Sequence, residues 1–443
     1  MSFEALKRDS DKRWLDLTTG TKPWIRVSSV MCCGTSLESE EIVSVIANYI
    51  EKNKMLINID TVGCHGICYA GPIIDILYKG QPRIFWGNVT KDNVVKILDS
   101  YIKKGEVLTD NLLGSLGERS IDGIKKIDDL PGINLQNRIA LRNSGNIAFN
   151  DIFQYIANGG FEGLHKAVTK MSSDEVISEV KNSGLRGRGG AAFPTGLKWS
   201  FMSNSKGVKY ILCNCEEGDP GAYNDKGILE SDPYTLIEGM AIAGYATKST
   251  NGYVFIRHGH DGPIERTKEA INQAYENGLL GKNIFGSDFS FDIEVSLTGD
   301  SYVAGEETAL MESIEGKSAR PRSRPPFPAA YGVWGKPSTI NNVKSLAYVS
   351  EIIRNGSEWF KSIGTESSSG TAIVCLSGDI LNPGMYEVEM GISIKDVVEK
   401  IGGGIPDGRK LKMLQTGGPL GGVLGPDSLK VKIDFDEMAK AGA

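Results

Sequence analysis

Apolar residues recur along the chain in two periods, and the switches between them mark the elements. Ile42, Val45, Ile46, Tyr49 and Ile50 share one face at helical spacing. Ser39 can cap that helix, with the acids Glu40 and Glu41 in its first turn. Trp24–Val30, Met55–Val62 and Ile73–Tyr78 read as strands, and Lys79-Gly-Gln-Pro82 turns the chain into Arg83–Trp86 as a hairpin. Thr90 can cap a last helix carrying Val94, Val95, Leu98 and Tyr101. Residues 24–103 thus predict a βαβ, hairpin, helix unit, and 1–103 a first domain. Residues 104–150 are more polar and irregular and read as a linker. Across 151–345, apolar runs at Val208–Cys213, Tyr253–Ile256 and Phe291–Leu297 alternate with helix patterns near 225–246, 263–279 and 305–315. That alternation predicts an α/β sheet domain. Residues 346–443 hold a compact β-rich module, with strand character at Val374, Leu376, Tyr386 and Val388 and one helix over 393–401.

Composition narrows this picture little. The chain has 443 residues, which predicts two to four domains. It is 40% hydrophobic and 23% charged, ordinary for a globular protein. A net charge of −6 with mixed signs excludes a nucleic-acid footprint. The first residues lack the apolar core of a secretory signal, and no apolar run is long enough to span a bilayer. A cytoplasmic location without membrane insertion is the expectation. The seven cysteines are an odd number in an unsecreted chain, so a disulfide framework is not expected. Four of them fall within residues 32–68, which points to a metal or cluster site.

The stretch from Gly184 to Phe201 packs five Gly, two Arg and one Lys into eighteen residues. Glycine lets backbone N–H groups approach a phosphate or a flat ring. Lys198 supplies a point charge for phosphate, while Phe193, Trp199 and Phe201 offer faces for stacking. The pattern is neither the G-x-G-x-x-G fingerprint nor a P-loop. Without the cations and aromatics it would read as a surface loop. Downstream, Glu216-Glu-Gly-Asp219 gathers carboxylates that suit ribose hydroxyls and disfavour a 2′-phosphate, which favours NADH over NADPH.

The glycine stretch resembles the loop of the NADH-oxidising flavoproteins. These include the 51-kDa subunit of complex I, the diaphorase subunits of NAD-linked hydrogenases and formate dehydrogenases, and the B subunits of electron-bifurcating hydrogenases. The resemblance continues through Cys213-Asn-Cys-Glu-Glu-Gly-Asp-Pro-Gly-Ala-Tyr-Asn-Asp-Lys226, Tyr302-Val-Ala-Gly-Glu-Glu-Thr-Ala-Leu310, Arg324-Pro-Pro-Phe-Pro328 and Trp334-Gly-Lys-Pro-Ser-Thr-Ile-Asn-Asn-Val343. It implies FMN cradled by Gly187, Arg188, Gly189, Gly190 and Lys198, with Asn214 and Glu216 on the flavin. It implies NAD(H) lined by Phe193, Phe201 and Phe327, and Asn341 and Asn342 at the phosphate end. Glu217, Asp219, Tyr302 and Thr339 join the same cofactor set. Glu306 and Glu307 form the catalytic-site pair, orienting NADH beside the nicotinamide without exchanging protons. Three positions depart from the family pattern: Ala192 stands for a usual Gly, Asp300-Ser301 for a smaller pair, and Arg324 for a common Lys.

Cys64-His-Gly-Ile-Cys68 resembles the second ligand pair of thioredoxin-like [2Fe–2S] ferredoxins, and a cluster of that type usually needs four thiolates. Cys32 matches the first ligand of the other pair, but Leu37 holds the second ligand's position and Cys33 is an extra, adjacent thiol. Either Cys32, Cys33, Cys64 and Cys68 hold a cluster, or the domain has lost it and serves for docking. The β-rich module resembles the family's β-grasp, ubiquitin-like (SLBB) domain. The family's C-terminal [4Fe–4S] cluster motif is absent before Ala443, so that cluster is expected only if a segment is missing. Taken together, the resemblance implies an oxidoreductase subunit passing electrons between NAD(H), FMN and iron–sulfur clusters in a soluble multi-subunit enzyme. The N-terminal extension leans towards the bifurcating type. Implied partners are a small thioredoxin-like [2Fe–2S] subunit and a larger iron–sulfur subunit of hydrogenase or formate dehydrogenase type. The alternative is a scaffold that keeps the fold without redox chemistry.

Overall fold

A computed structural model describes residues 2–30, 36–78, 80–117, 121–298, 301–419 and 421–443, with backbone alone at 36, 37 and 298. Cys32, Cys33 and Asp300 lie outside the described residues, as does the side chain of Leu37.

The N-terminal sheet is built from β1 (Trp24–Ser28), β2 (Asn58–Val62), β3 (Ile74–Leu77), β4 (Arg83–Trp86) and β5 (Leu112–Leu116), in the order β2-β1-β3-β4-β5. β1 and β2 run parallel, joined across the helix Ser36–Asn53, and β3 and β4 form the antiparallel hairpin. This is the expected βαβ, hairpin, helix order. The fifth strand is a difference from the sequence reading, since it lies within the expected linker. Its sequence Leu-Leu-Gly-Ser-Leu is short and holds a glycine, so it carries little strand signal of its own. Ser39 is not the expected cap. The helix already starts at Ser36, and the buried Ser39 hydroxyl donates to Ser28 O at 2.7 Å.

A helix over Phe3–Thr19, capped by Ser2, precedes this sheet and was not anticipated. Its Phe3 and Leu6 belong to the same core as Ile152, Tyr155 and Ile156, and its Trp14 meets Trp24 of β1 edge-to-face, with ring centroids 5.5 Å apart, so it packs against both units.

The central sheet is all parallel. It comprises β6 (Tyr210–Cys215), β7 (Asn251–Arg257), β8 (Asp292–Thr298) and β9 (Ser338–Asn342), in the order β8-β7-β6-β9. β6 is interior and reads as a near-continuous apolar run, as a strand covered on both faces should. The helix Pro233–Thr247, buried at every position but Tyr245, packs on one face, and Leu310, Met311 and Val333 cover the other. Residues 346–360, assigned to the last module on sequence, supply Leu346, Tyr348, Ile352 and Phe360 to this central core.

The last module contains the antiparallel pair β10 (Thr371–Leu376) and β11 (Gly384–Glu389), a short helix over 394–401 and a second two-stranded ladder. Tyr386, Val388, Val397 and Ile401 pack against Ile67, Ile73 and Phe85 of the N-terminal unit, so the module bridges both other parts.

Candidate cofactor site

The carboxyl ends of β6 and β9 are where a parallel sheet presents a ligand crevice. A cavity of about 1260 Å³ opens there, between the central sheet and the last module. Arg188, Gly189, Gly190, Asn214, Glu216, Glu217, Asp219, Tyr302, Glu306 and Asn342 all line it. Residues more than one hundred positions apart are thereby brought to one wall.

The glycine loop is closed on itself. Gly187 N donates to Phe193 O at 2.8 Å and Arg186 Nε to Ala192 O at 3.0 Å. Gly190 has φ +119°, in the region that favours glycine, and no atom lies where its side chain would be. Gly189 backs onto Asn342, where an added Cβ would meet that side chain at 3.0 Å. The guanidinium of Arg188 does not serve the cavity. It donates to Ser369 O at 2.7 Å and Arg186 O at 2.9 Å and lies over the rings of Tyr348 and Phe435, while the residue's backbone N is held by Ser345 Oγ at 2.8 Å. Its charge ties the loop to the last module.

Asn214, at the end of β6, donates to Gly305 O at 2.8 Å and accepts from Glu216 N at 3.0 Å, which turns the chain into the acidic run. Glu216 accepts from Arg257 at 2.5 Å; burial pushes its carboxyl up while Arg257 opposes the shift. Glu217 is buried and accepts from Asn224 N, Asp225 N and Lys226 N at 2.9, 3.0 and 2.9 Å. It therefore caps the helix Asn224–Ser231 and is not free to reach a ligand with both oxygens. Asp219 keeps one buried oxygen without a hydrogen-bond partner among the described residues.

Glu306 caps the helix Glu307–Ile314, accepting from Thr308 N and Ala309 N, each at 2.9 Å. Burial would raise its pKa, but a hydrogen bond from the Thr308 hydroxyl, together with these backbone bonds, holds it below the usual carboxylate range. Glu307 pairs with Arg324 at 2.5 Å and with Lys198 at 3.4 Å. Lys198 also donates to Ile340 O at 2.6 Å, and burial lowers its pKa against the pull of Glu307.

The remaining predicted residues lie around the cavity rather than on its wall. Phe193 and Phe201 are exposed, with ring centroids 6.3 Å apart, and Phe327 is exposed on the segment that Arg324 pins to Glu307. Asn341 is buried and accepts from Trp199 Nε1 at 3.1 Å, fixing the helix that follows the glycine loop. Thr339 is also buried, its hydroxyl unpartnered among the described residues. Sequence reasoning missed Asp225 and Lys344. Lys344 Nζ lies 3.0 Å from Asp225 and 2.8 Å from Asn224 Oδ1, and Asn342 Nδ2 lies 2.6 Å from Asp225 Oδ2. Their signal was position alone, within or beside motifs already singled out. Cys213 and Cys215 are fully buried in β6, where desolvation raises both thiols.

Residues 180–351 match the Nuo51 FMN-binding domain and residues 373–424 the SLBB domain. An NADH-quinone oxidoreductase subunit of Rhizobium meliloti is 46% identical over 290 residues, which cover 65% of this chain and 69% of the relative. The chain belongs to the Nuo51 FMN-binding family. Another relative of this Nuo51-type chain is the NADP-reducing hydrogenase subunit HndC of Solidesulfovibrio fructosivorans. It is 51% identical over 305 residues, 69% of this chain and 62% of the relative, so the chain spans less than two thirds of that relative's length. The fold is shared with NAD+-reducing [NiFe]-hydrogenase in its H2-reduced state, at a TM-score of 0.60 and 22% identity, covering 98% of this chain and 72% of that one. No helix among the described residues is long and apolar enough to cross a membrane.

An FMN-binding domain must offer backbone amides and polar atoms to a phosphate and a flat ring. The bare Gly189-Gly190 wall admits a close backbone approach, and the unpartnered oxygen of Asp219 can accept from a ring N–H or a hydroxyl. At the N-terminal unit, Cys64 is buried and its Sγ accepts from Gly66 N at 3.1 Å, which suits a thiolate ligand. The described residues hold no group of three or more metal-ligating side chains, and the candidate partners Cys32 and Cys33 lie outside them.

Proposed function

We propose that this chain is the NADH-oxidising flavoprotein subunit of a soluble, multi-subunit iron–sulfur oxidoreductase. The observation that carries the proposal is the cavity lined by Gly189, Gly190, Asn214, Glu216, Tyr302 and Asn342. FMN bound there would take two electrons as hydride from NADH and release them one at a time. The chain's own contribution is positioning. Gly187, Gly189 and Gly190 keep the loop bare of side chains, and the backbone of Arg188 holds it to Ser345. Lys198 sets a positive charge beside β9, and Asn341 and Asn342 fix the helix and strand ends around it. Asn214 and Glu216 form the wall against the flavin. Phe193, Phe201 and Phe327 offer exposed rings for the dinucleotide. Glu217, Asp219, Tyr302 and Thr339 support that wall, while Glu306 and Glu307 orient NADH. The acids at Glu216 and Asp219 favour NADH over NADPH.

The domain assignment belongs to the same proposal: a thioredoxin-like unit to residue 103, a connecting segment, the flavin domain and the SLBB module. So do a [2Fe–2S] group on Cys64, Cys68, Cys32 and Cys33, a cytoplasmic location, and two partners. These are a small thioredoxin-like [2Fe–2S] subunit and a larger iron–sulfur subunit of hydrogenase or formate dehydrogenase type.

The test is reconstitution of the purified chain with FMN, followed by NADH with a one-electron acceptor dye. Stoichiometric flavin absorbance and NADH-dependent dye reduction are expected. Lys198→Met should weaken FMN about 10- to 100-fold, the loss of a charge-assisted hydrogen bond of about 1.5–3 kcal/mol. A wild-type chain that retains no flavin would leave a scaffold, and the proposal would fall.

A further inference from the structure

A buried ion pair stands in the wall of the flavin cavity. Lys344 lines the cavity from the helix Val343–Ala347, two residues after Asn342. Its ammonium lies 2.8 Å from Asn224 Oδ1 and 3.0 Å from Asp225 Oδ1, with only 12% of the side chain exposed. Asp225 is itself buried, and its other oxygen accepts from Asn342 Nδ2 at 2.6 Å. Glu217 gives its carboxylate to the three amides that begin the helix Asn224–Ser231. Burial alone would lower the pKa of Lys344, but Asp225 and Glu217 outweigh it and hold it above the ordinary lysine range.

The other cations around the cavity are turned away or exposed. The Arg188 guanidinium is bound to Ser369 O and Arg186 O. Lys198 is held on Ile340 O and Glu307, and Arg257 on Glu216. Arg409, Lys410 and Lys412 are exposed on the last module, with Arg409 beside Asp379. Among the described residues, Lys344 is thus the buried ammonium that lines the cavity. Little water screens it, so its field reaches further than that of a surface lysine. Hydride carries two electrons and one proton, and its acceptor gains one negative charge. A nearby cation favours the more negative state, and a nearby anion opposes it.

We propose that Lys344 is the counter-charge to reduced flavin in this chain, and that Asp225 sets how much of that charge the cavity feels. The inference rests on the flavin reading of the cavity. The hydride leaves NADH for the flavin, which yields NAD+, and Lys344 keeps its own protons throughout. Lys344 acts through its field, with no bond to it made or broken. A pair that only held the helix Val343–Ala347 against the helix Asn224–Ser231 would govern FMN retention and not the flavin potential.

The full chain is loaded with FMN, and flavin absorbance is titrated against potential with mediator dyes. Asp225→Asn leaves Lys344 without its counter-ion and should raise the flavin midpoint. Adding Lys344→Met to Asp225→Asn then removes the cation without leaving Asp225 as an unpaired anion. The double variant should fall below Asp225→Asn by about 30 mV, a tenfold change in the ratio of reduced to oxidised flavin for two electrons. A lower or unchanged midpoint in Asp225→Asn overturns the proposal, and this arm stands alone if the double variant does not fold or hold FMN. Equal midpoints in the two variants, with FMN retained, overturn it as well and leave the flavin reading intact. A wild-type chain that takes up no FMN sinks both.

Discussion

Ala192 sits at φ +52°, in the left-handed region, where the family resemblance leads one to expect glycine. The conformation is imposed by the loop closure on either side of it, since Ala192 O accepts from Arg186 Nε and Phe193 O accepts from Gly187 N. An L-residue there costs about 1–2 kcal/mol, while glycine adds about 0.4–1 kcal/mol of unfolded-state entropy. The steric term is the larger. Ala192→Gly should therefore raise stability by up to about 1 kcal/mol, read as a higher urea midpoint at constant slope. A lower midpoint would mean that packing of the buried methyl outweighs the strain. At this scale the sequence located part of the cavity wall on the side of the central sheet, because Asn214, Glu216, Tyr302 and Asn342 sit in motifs of distinctive composition, but none of the wall that the last module supplies. It could not reveal that the Arg188 guanidinium turns away from the cavity to Ser369, because that partner lies 181 residues on.

Among the elements, the alternation of apolar runs exposed β6, β7 and β8 and the helices between them. Each buries a full face in one core, so burial writes itself into the local pattern. The helix Phe3–Thr19 escaped because it buries only Phe3, Leu6 and Ser10, and its other apolar residues, such as the exposed Leu15, are scattered among charged ones. The helix Phe435–Lys440 is another thin element, with no residue of its own buried, and it depends on its cap. Asp434 accepts from Asp436 N, Glu437 N, Thr365 Oγ1 and Ser367 Oγ at 2.9, 3.1, 2.5 and 2.7 Å. Burial opposes ionisation of this carboxyl, but the hydrogen bonds from Thr365 and Ser367 outweigh it and hold the pKa well below the ordinary range. The folded value lies below the unfolded one, so the contribution is fully present above about pH 4 and is lost as pH falls further. Amide exchange in residues 435–440, corrected for its intrinsic pH dependence, should rise between about pH 4 and pH 2 in the wild type. In Asp434→Asn that pH dependence should vanish. A variant that follows the wild-type profile would assign the transition to another acid.

For the whole molecule the question is what fixes the last module against the rest, since the cavity lies between it and the central sheet. β10 and β11 are only a two-stranded ladder, too small to hold that position unaided. Beside the apolar packing on Ile67, Ile73 and Phe85 and the Arg188 bond to Ser369, a polar tie is Glu387, fully buried on β11. Its carboxylate accepts from three consecutive amides of the segment expected to be a linker, Ile139 N, Ala140 N and Leu141 N, at 2.9, 3.1 and 2.8 Å, and from Thr371 Oγ1 at 2.5 Å. Burial pushes the Glu387 carboxyl up, and these donors pull it back. Three aligned N–H groups suit an anion and leave little room for an amide's hydrogens. Glu387→Gln should therefore cost about 2–4 kcal/mol, since one or more buried N–H groups lose their acceptor. The loss should be local before it is global. Amide exchange at 139–141 and in β10 and β11 should accelerate, while β6 and β7 keep their protection. FMN affinity should fall with it, because the module forms one wall of the cavity. Equal acceleration in the central strands would show that Glu387 supports the whole fold, and unchanged exchange at 139–141 would remove it as a tie.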